Sequence, residues 1–344
     1  MTPASSTLTT RRYEQADEPD VLDLLSSAMG GGPAGTRTPE LFGWKHCDNP
    51  FGPSYLLVAE ADDLIVGLRA FMRWSFRSAE GTVRAVRAVD TATHPRYQGR
   101  GIFSRLTSEA IDAIRADTDL VFNTPNEKSF PGYVKMGWRT VGTLPISVRV
   151  RRPVRVLRGL RDVRAGGTSS PLPPSSAGEA ALEAVADPGL GALLEEAEGG
   201  SENLGLRTQK DEAYLRWRYG QAPSLDYRAI REHSGGALTG VAFFRVRPRG
   251  RLLETTVSEV LVRPGDEATA RRLLGRVVRA AEVDHASCRF AGGTAAARAA
   301  RRRGFLPTGR GMMFVINRIG RRQIEPDPHD LRSWALTLGD LEVF

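Results

Sequence analysis

Lysine is nearly missing from this chain. Only Lys45, Lys128, Lys135 and Lys210 stand among its 48 basic residues, so arginine supplies almost all of the positive charge. A net charge of +8 would ordinarily point to a polyanion such as nucleic acid. Here the arginines are spread along the whole chain beside abundant alanine and glycine, which reads as the coding bias of a GC-rich genome, and no nucleic-acid partner is expected. Cysteine is scarcer still: Cys47 and Cys288 lie far apart, with no neighbouring ligands at metal spacing. Both are expected as small buried apolar residues. His46, His233 and His285 offer no metal spacing either. No apolar run approaches the roughly 18 residues of a membrane span, and the opening "MTPASSTLTTRRYEQADEPD" has no apolar stretch for a secretory signal. The expectation is a cytoplasmic protein without metal or membrane partner.

At 344 residues the chain exceeds a typical domain of about 150, which predicts two packed units. "LTTRRYEQA" reads as a strand, and "DEPDVLDLLSSAM" as a helix with Val21, Leu24, Leu25 and Met29 on one face. "TPELFGWKH" reads as a short helix capped by Thr38. "SYLLVAE" and "LIVGLRAFMRWSF", separated by the turn signal "ADD", predict a hairpin, and "TVRAVRAVDTAT" another strand. The spacing of Ile102, Phe103, Leu106, Ala110, Ile111 and Ile114 predicts an amphipathic helix. "DLVFN" is then a buried strand, and the next helix can begin only near Pro131, because proline is tolerated only in a first turn. "RTVGTLPISVRV" finishes the unit. This order predicts an α/β fold, a mixed central sheet flanked by helices.

Residues 151–178 are basic and then rich in Pro and Ser, so they are expected as a linker between a first unit at 1–150 and a second at 179–320, with a C-terminal tail at 321–344. The second unit repeats the first: Trp217, Tyr227 and Gly240 fall where Trp44, Tyr55 and Gly67 stand, and "VSEVLVRPGDEATARRLL" tracks "AVDTATHPRYQGRGIFSRL". One fold used twice is expected. The tail, "SWALTLGDLEVF", is apolar enough to dock.

The stretch "THPRYQGRGIF" joins a strand to a helix N-terminus. Such a turn aims several backbone N–H groups one way, and the helix dipole adds positive charge. Gly99 and Gly101 let the backbone approach an anion, and Arg96 and Arg100 offer charge-assisted hydrogen bonds. A pyrophosphate cradle and a plain structural turn both fit this pattern.

"ATHPRYQGRGIFSRL" followed by "NTPNEKSFPGYVKMGW" resembles the GNAT superfamily of N-acetyltransferases. There, a Val-x-Pro strand end leads to Gln/Arg-x-x-Gly-x-Gly/Ala, and a later helix carries Tyr-x-x-x-Gly-Phe. In this sequence those positions read Thr93-His94-Pro95, Gln98-Gly99-Arg100-Gly101-Ile102-Phe103 and Tyr133-Val134-Lys135-Met136-Gly137-Trp138. Phe103 departs from the pattern, which has glycine or alanine at that place. The resemblance implies a GNAT fold, duplicated in a degenerate second copy. It implies acetyl-CoA as co-substrate, held by the amides of Gln98, Gly99, Arg100, Gly101, Ile102, Phe103 and Ser104. Pantetheine would lie along Thr91, Ala92 and Thr93, with Asn126 also in contact.

It further implies direct acetyl transfer to a primary amine of a small molecule or peptide. The needs of that reaction are orientation of the two reactants, an acceptor for the amine proton, a donor for the oxyanion and a proton for the leaving thiolate. Tyr133 matches the tyrosine that relatives use as the acid. For the base, Asp90 is the only carboxylate on its strand, although alternation puts it on the face opposite Thr91 and Thr93 unless a β-bulge intervenes. A structural role for Asp90, a water, His94 or the carboxylate of Phe344 stand beside it. In the second copy the cradle reads "RPGDEATARR", where Asp266 and Glu267 would repel a pyrophosphate, so no cofactor is expected there. Two other readings remain at this stage: transfer from aminoacyl-tRNA, as in peptidoglycan-bridge transferases, and a non-catalytic acetyl-CoA-binding module. A homodimer is left open.

Overall fold

The computed structural model describes residues 8–29, 37–162, 177–199 and 205–341. In the first half, β1 (Thr9–Arg12) leads to helices α1 (Glu18–Met29) and α2 (Pro39–His46), then to the hairpin β2 (Tyr55–Ala61) and β3 (Leu64–Ser78). Strand β4 (Gly81–Thr93) follows, then α3 (Ile102–Ile114), β5 (Leu120–Asn123), α4 (Phe130–Lys135) and β6 (Arg139–Val150). After α5 (Pro153–Asp162) come β7 (Glu179–Ala180), α6 (Ala181–Val185), α7 (Leu190–Glu198), β8 (Arg207–Thr208) and α8 (Glu212–Leu215). The second half then repeats the order of the first: β9 (Tyr227–Ser234), β10 (Ala237–Arg249), β11 (Leu252–Val262), α9 (Glu267–Ala280), β12 (His285–Cys288), α10 (Ala295–Arg302) and β13 (Leu306–Arg318), with α11 (Leu338–Leu341) near the end.

The expected elements form for the expected reasons. Thr38 Oγ1 accepts from Leu41 N and starts α2 at Pro39. Asp62 and Asp63 take the left-handed backbone that a two-residue hairpin turn requires. Cys288 is buried as expected, but Cys47 is exposed, because it follows the last turn of α2 on its outer side. Part of the expected linker is also ordered: residues 153–162 make helix α5.

One sheet runs through both halves in the order β1-β2-β3-β4-β5-β13-β6-β12-β11-β10-β9-β7. The expectation that β6 completes the first sheet needs amending. Strand β13 lies antiparallel between β5 and β6, while β6 lies against β12. Each half therefore lends its last strand to the other. Apolar residues of α1 and α2 share a single core with Tyr214, Trp217, Tyr227 and the tail residues Trp334 and Leu336. A second core lies under α3 and α4, and a third under α9 and α10. Among the described residues, no helix is long and apolar enough to cross a membrane.

Candidate active site

Strands β4 and β5 pair in parallel only over Ala85–Arg87 and Leu120–Phe122. Beyond that point they part, because β5 ends at Asn123 while β4 runs on to Thr93. The gap leaves the backbone edge of Ala88–Thr93 open toward a cleft of about 790 Å³. A segment of extended backbone character can pair with such an edge.

The mouth of the cleft is the strand-to-helix loop. A short 3-10 turn at Pro95–Tyr97 is pinned by the Tyr97 hydroxyl, which donates to Asp62 Oδ2 at 2.8 Å. Gly99 and Gly101 then take φ of +77° and +76°, which only glycine adopts without strain. Gly101 is the N-cap of α3 and supplies no side-chain cap, so the first-turn amides stay uncapped by any side chain. In α9 the Asp266 carboxylate accepts from Thr269 N at 2.9 Å, so the helix there caps its own dipole. The corresponding opening in the second half encloses only about 130 Å³.

Asp90, Thr91, Ala92, Thr93, Gln98, Gly99, Gly101, Ile102, Phe103, Asn126 and Tyr133 all line the one cleft. Arg100 stacks over the Tyr97 ring at 4.7 Å, and neither it nor Ser104 lines the cleft. Asn126 Oδ1 accepts from Lys128 N and Ser129 N, which fixes the turn into α4. Phe344 lies outside the described residues. The chain is fastened a few residues before it: Arg87 donates to the carbonyls of Asp340 and Leu341, at 2.6 Å each, and to Thr124 Oγ1 on the cleft wall.

A β-bulge does intervene at Asp90. The register slips between Leu68 and Ala70, and Asp90 carries φ +37°. The bulge turns its carboxylate toward α2, where Lys45 Nζ (2.8 Å) and His46 Nε2 (3.0 Å) meet Oδ2 and Arg37 lies 3.3 Å from Oδ1. Burial alone would push this carboxyl up, but the Lys45 charge, the His46 hydrogen bond and Arg37 outweigh it and hold it well below the usual carboxylate range. Burial pushes Lys45 and His46 down, with Asp90 opposing in both. A neutral His46 donates Nε2–H to Asp90 and accepts at Nδ1 from the Ser54 hydroxyl at 2.9 Å. So placed, Asp90 is a strong ion-pair anchor and a weak proton acceptor.

Tyr133 is buried, and its hydroxyl oxygen accepts from Arg69 Nη1 at 2.9 Å. Its ring meets Phe103 edge-on at 5.4 Å. Phe103 fits because its neighbour is Gly132, where an added Cβ would fall 2.9 Å from the Phe103 ring.

Sequence reading missed Arg37, Lys45, His46, Arg69 and Arg87. Lys45 did carry a signal. In a chain this poor in lysine, Lys45 holds Asp90 on β4, and Lys210 holds Glu259 at the matching place on β11. Arg69 also stood out, as a charge inside the apolar run "LIVGLRAFM".

Residues 9–141 match the family described as Acetyltransferase (GNAT) domain. That segment of the chain is therefore similar to GNAT acetyltransferase domains, a family of acyl transfer. Among curated proteins none matches it. Solved structures share the fold over most of the chain. A probable N-acyltransferase from Enterococcus faecalis V583 is 14% identical, with a TM-score of 0.61 over 91% of this chain and 73% of that one. A GCN5-related N-acetyltransferase from Kribbella flavida is 16% identical, with a TM-score of 0.59 over 92% and 72%. Eis1 from Mycobacterium abscessus is 16% identical, with a TM-score of 0.55 over 91% and 74%.

Proposed function

We propose that this protein transfers an acetyl group from acetyl-CoA to a primary amine of a small molecule or peptide. One observation carries the reading: the uncapped N-terminus of α3, the open edge of β4 and Tyr133 all border a single cleft. The residues fit the co-substrate. The Gln98–Ser104 loop suits the pyrophosphate, since the space around Gly99 and Gly101 is empty where a Cβ would intrude. Thr91, Ala92 and Thr93 offer the edge of β4 that faces away from β3 to the amide-bearing arm, and Asn126 lines the cleft as well.

When bound, acetyl-CoA supplies an activated thioester. As the amine nitrogen bonds to the acyl carbon, the carbon–sulfur bond breaks and its electron pair leaves on sulfur. Tyr133 gives its hydroxyl proton to that sulfur. Asp90 holds the bulge and α2 through its ion pairs, and the amine proton passes to water or, where Phe344 ends the chain, to its carboxylate. The cleft orients both reactants, which lowers the barrier before any proton moves. Calorimetry with acetyl-CoA, followed by thiol release across a library of amines, tests the reading. Absence of both binding and thiol release overturns it.

A further inference from the structure

Arg69 lies on β3, opposite the bulge of β4, and its side chain is fully buried. Among the described residues it has no carboxylate within ion-pair distance, because the bulge sends Asp90 to Lys45 and His46 instead. The Nε and Nη2 donors of Arg69 have no hydrogen-bond partner. An uncompensated buried cation is costly, so apolar residues of similar size would serve a purely structural purpose better.

Its surroundings are aromatic. The guanidinium carbon lies 4.5 Å from the centre of the Phe71 ring, 5.4 Å from Tyr133 and 5.7 Å from Phe103. Phe103, the residue that departs from the family pattern, is thus one wall of a cage around this cation. The one nitrogen with partners, Nη1, donates to Thr91 Oγ1 at 2.6 Å and to the Tyr133 oxygen at 2.9 Å.

We propose that Arg69 is a positioning residue, which holds the Tyr133 phenol by its oxygen and so directs the phenolic proton into the cleft. This rests on the acetyl-transfer reading. A phenol has one proton and an oxygen that accepts. With Arg69 occupying the accepting side, the O–H must point elsewhere, and the side left open is the cleft that Tyr133 lines. The cation also sits where negative charge collects once the proton has gone to sulfur. Phe103 and Gly132 belong to the same device: the ring holds the guanidinium in place, and the missing Cβ makes room for the ring.

The test compares wild type, Arg69→Met, Arg69→Lys, Tyr133→Phe and the double variant Arg69→Met/Tyr133→Phe. Acetyl-CoA affinity is read by calorimetry, and kcat and KM by thiol release. Arg69→Met is expected to lower kcat about tenfold or more. Its acetyl-CoA affinity stays within about threefold of wild type, since Arg69 donates no hydrogen bond to the loop amides and reaches that loop only through the Phe103 ring. In the Tyr133→Phe background the same substitution should cost almost nothing further, because there is no proton left to direct. Arg69→Lys should keep more of kcat than Arg69→Met. If Arg69→Met does not fold, Arg69→Lys carries the test through a reduced kcat at unchanged KM. Unchanged kcat in the Arg69 variants, or a loss that adds fully to that of Tyr133→Phe, overturns the proposal while acetyl transfer stands. A wild type that neither binds acetyl-CoA nor releases thiol overturns both.

Discussion

Trp44 and Trp217 hold each other by a reciprocal exchange. Each indole Nε1–H donates to the other's main-chain carbonyl at 2.8 Å, and the rings stack 4.8 Å apart at 17°. The two residues occupy matching places in the two halves, so the contact is a local two-fold axis inside one chain. Replacing Trp44 with Phe keeps most of the apolar area but leaves the Trp217 carbonyl buried without its donor, at a cost of about 1–3 kcal/mol. Trp217→Phe should cost the same. The stacked rings keep each other at donor distance, so the double variant should come out about 0.5–1.5 kcal/mol more stable than the sum predicts. Denaturant midpoints of the four proteins check this, and strict additivity would deny the coupling.

The phosphate loop gives a sharper expectation. At φ +76° any Cβ on residue 101 is strained, so Gly101→Ala should cost about 1 kcal/mol of stability. Gly101→Asp does more, because it places a carboxylate at the helix N-terminus, as Asp266 does in α9. Acetyl-CoA binding should be abolished in Gly101→Asp and weakened in Gly101→Ala. Calorimetry decides, and unchanged affinity in Gly101→Asp would remove the loop from the site.

Local signals account for what the sequence made legible. Thr38, Pro131 and the spacing of Ile102, Leu106 and Ala110 act within a few residues of themselves, so they announce α2, α4 and α3. The motif residues Gln98, Gly101 and Tyr133, visible as a pattern in the sequence, all line one cleft. What stayed hidden is non-local. Strand β13 reaches β5 across nearly two hundred residues, and no pattern within either strand names its partner. The same holds for Arg87 and the Asp340 carbonyl. Asp90 lay between: alternation fixed its face only for a regular strand, and the bulge, where β4 slips against Leu68 and Ala70, turns its carboxylate to Lys45 and His46 instead.

The ion-pair cluster around Asp90 should matter more for stability than for chemistry. Lys45→Met strips Asp90 of its nearest buried partner and is expected to cost about 3–5 kcal/mol. Asp90→Asn should likewise destabilise, yet its kcat should keep the pH profile of the wild type. A lost acid limb in Asp90→Asn would return the base to this residue.

His46 makes part of that stability depend on pH. Burial lowers its folded pKa below the ordinary 6.5, so below that pH the unfolded chain takes up a proton that the folded one refuses. Stability is therefore fully present above about pH 6.5 and falls as the pH drops, by up to about 1.4 kcal/mol per unit. Asp90, also held low, adds its own loss only below about pH 4. Melting scans from pH 8 to 5 should show a decline in wild type that flattens in His46→Gln. Parallel curves would mean that another group titrates there.

The tail supplies the last expectation. Leu206 N donates to the Ser333 carbonyl, the Leu206 carbonyl accepts from Ala335 N, and Trp334 and Leu336 are buried, so the segment before α11 is docked by its own packing. Arg87 then fixes the last described turn beside Thr124. Removing residues 342–344 leaves the Trp334 and Leu336 packing and the Asp340 contact as they are and turns the Leu341 carbonyl into a carboxylate that still accepts from Arg87, so the melting temperature should hold within about 2 °C, which corresponds to less than roughly 1 kcal/mol for a chain of this size. If the Phe344 carboxylate takes the amine proton, kcat should fall by about a hundredfold while acetyl-CoA affinity stays unchanged. Turnover equal to wild type would pass that proton to water. Arg87→Met offers the complement: it frees the same segment without shortening it, so it should lower both stability and kcat, whereas the truncation lowers kcat alone.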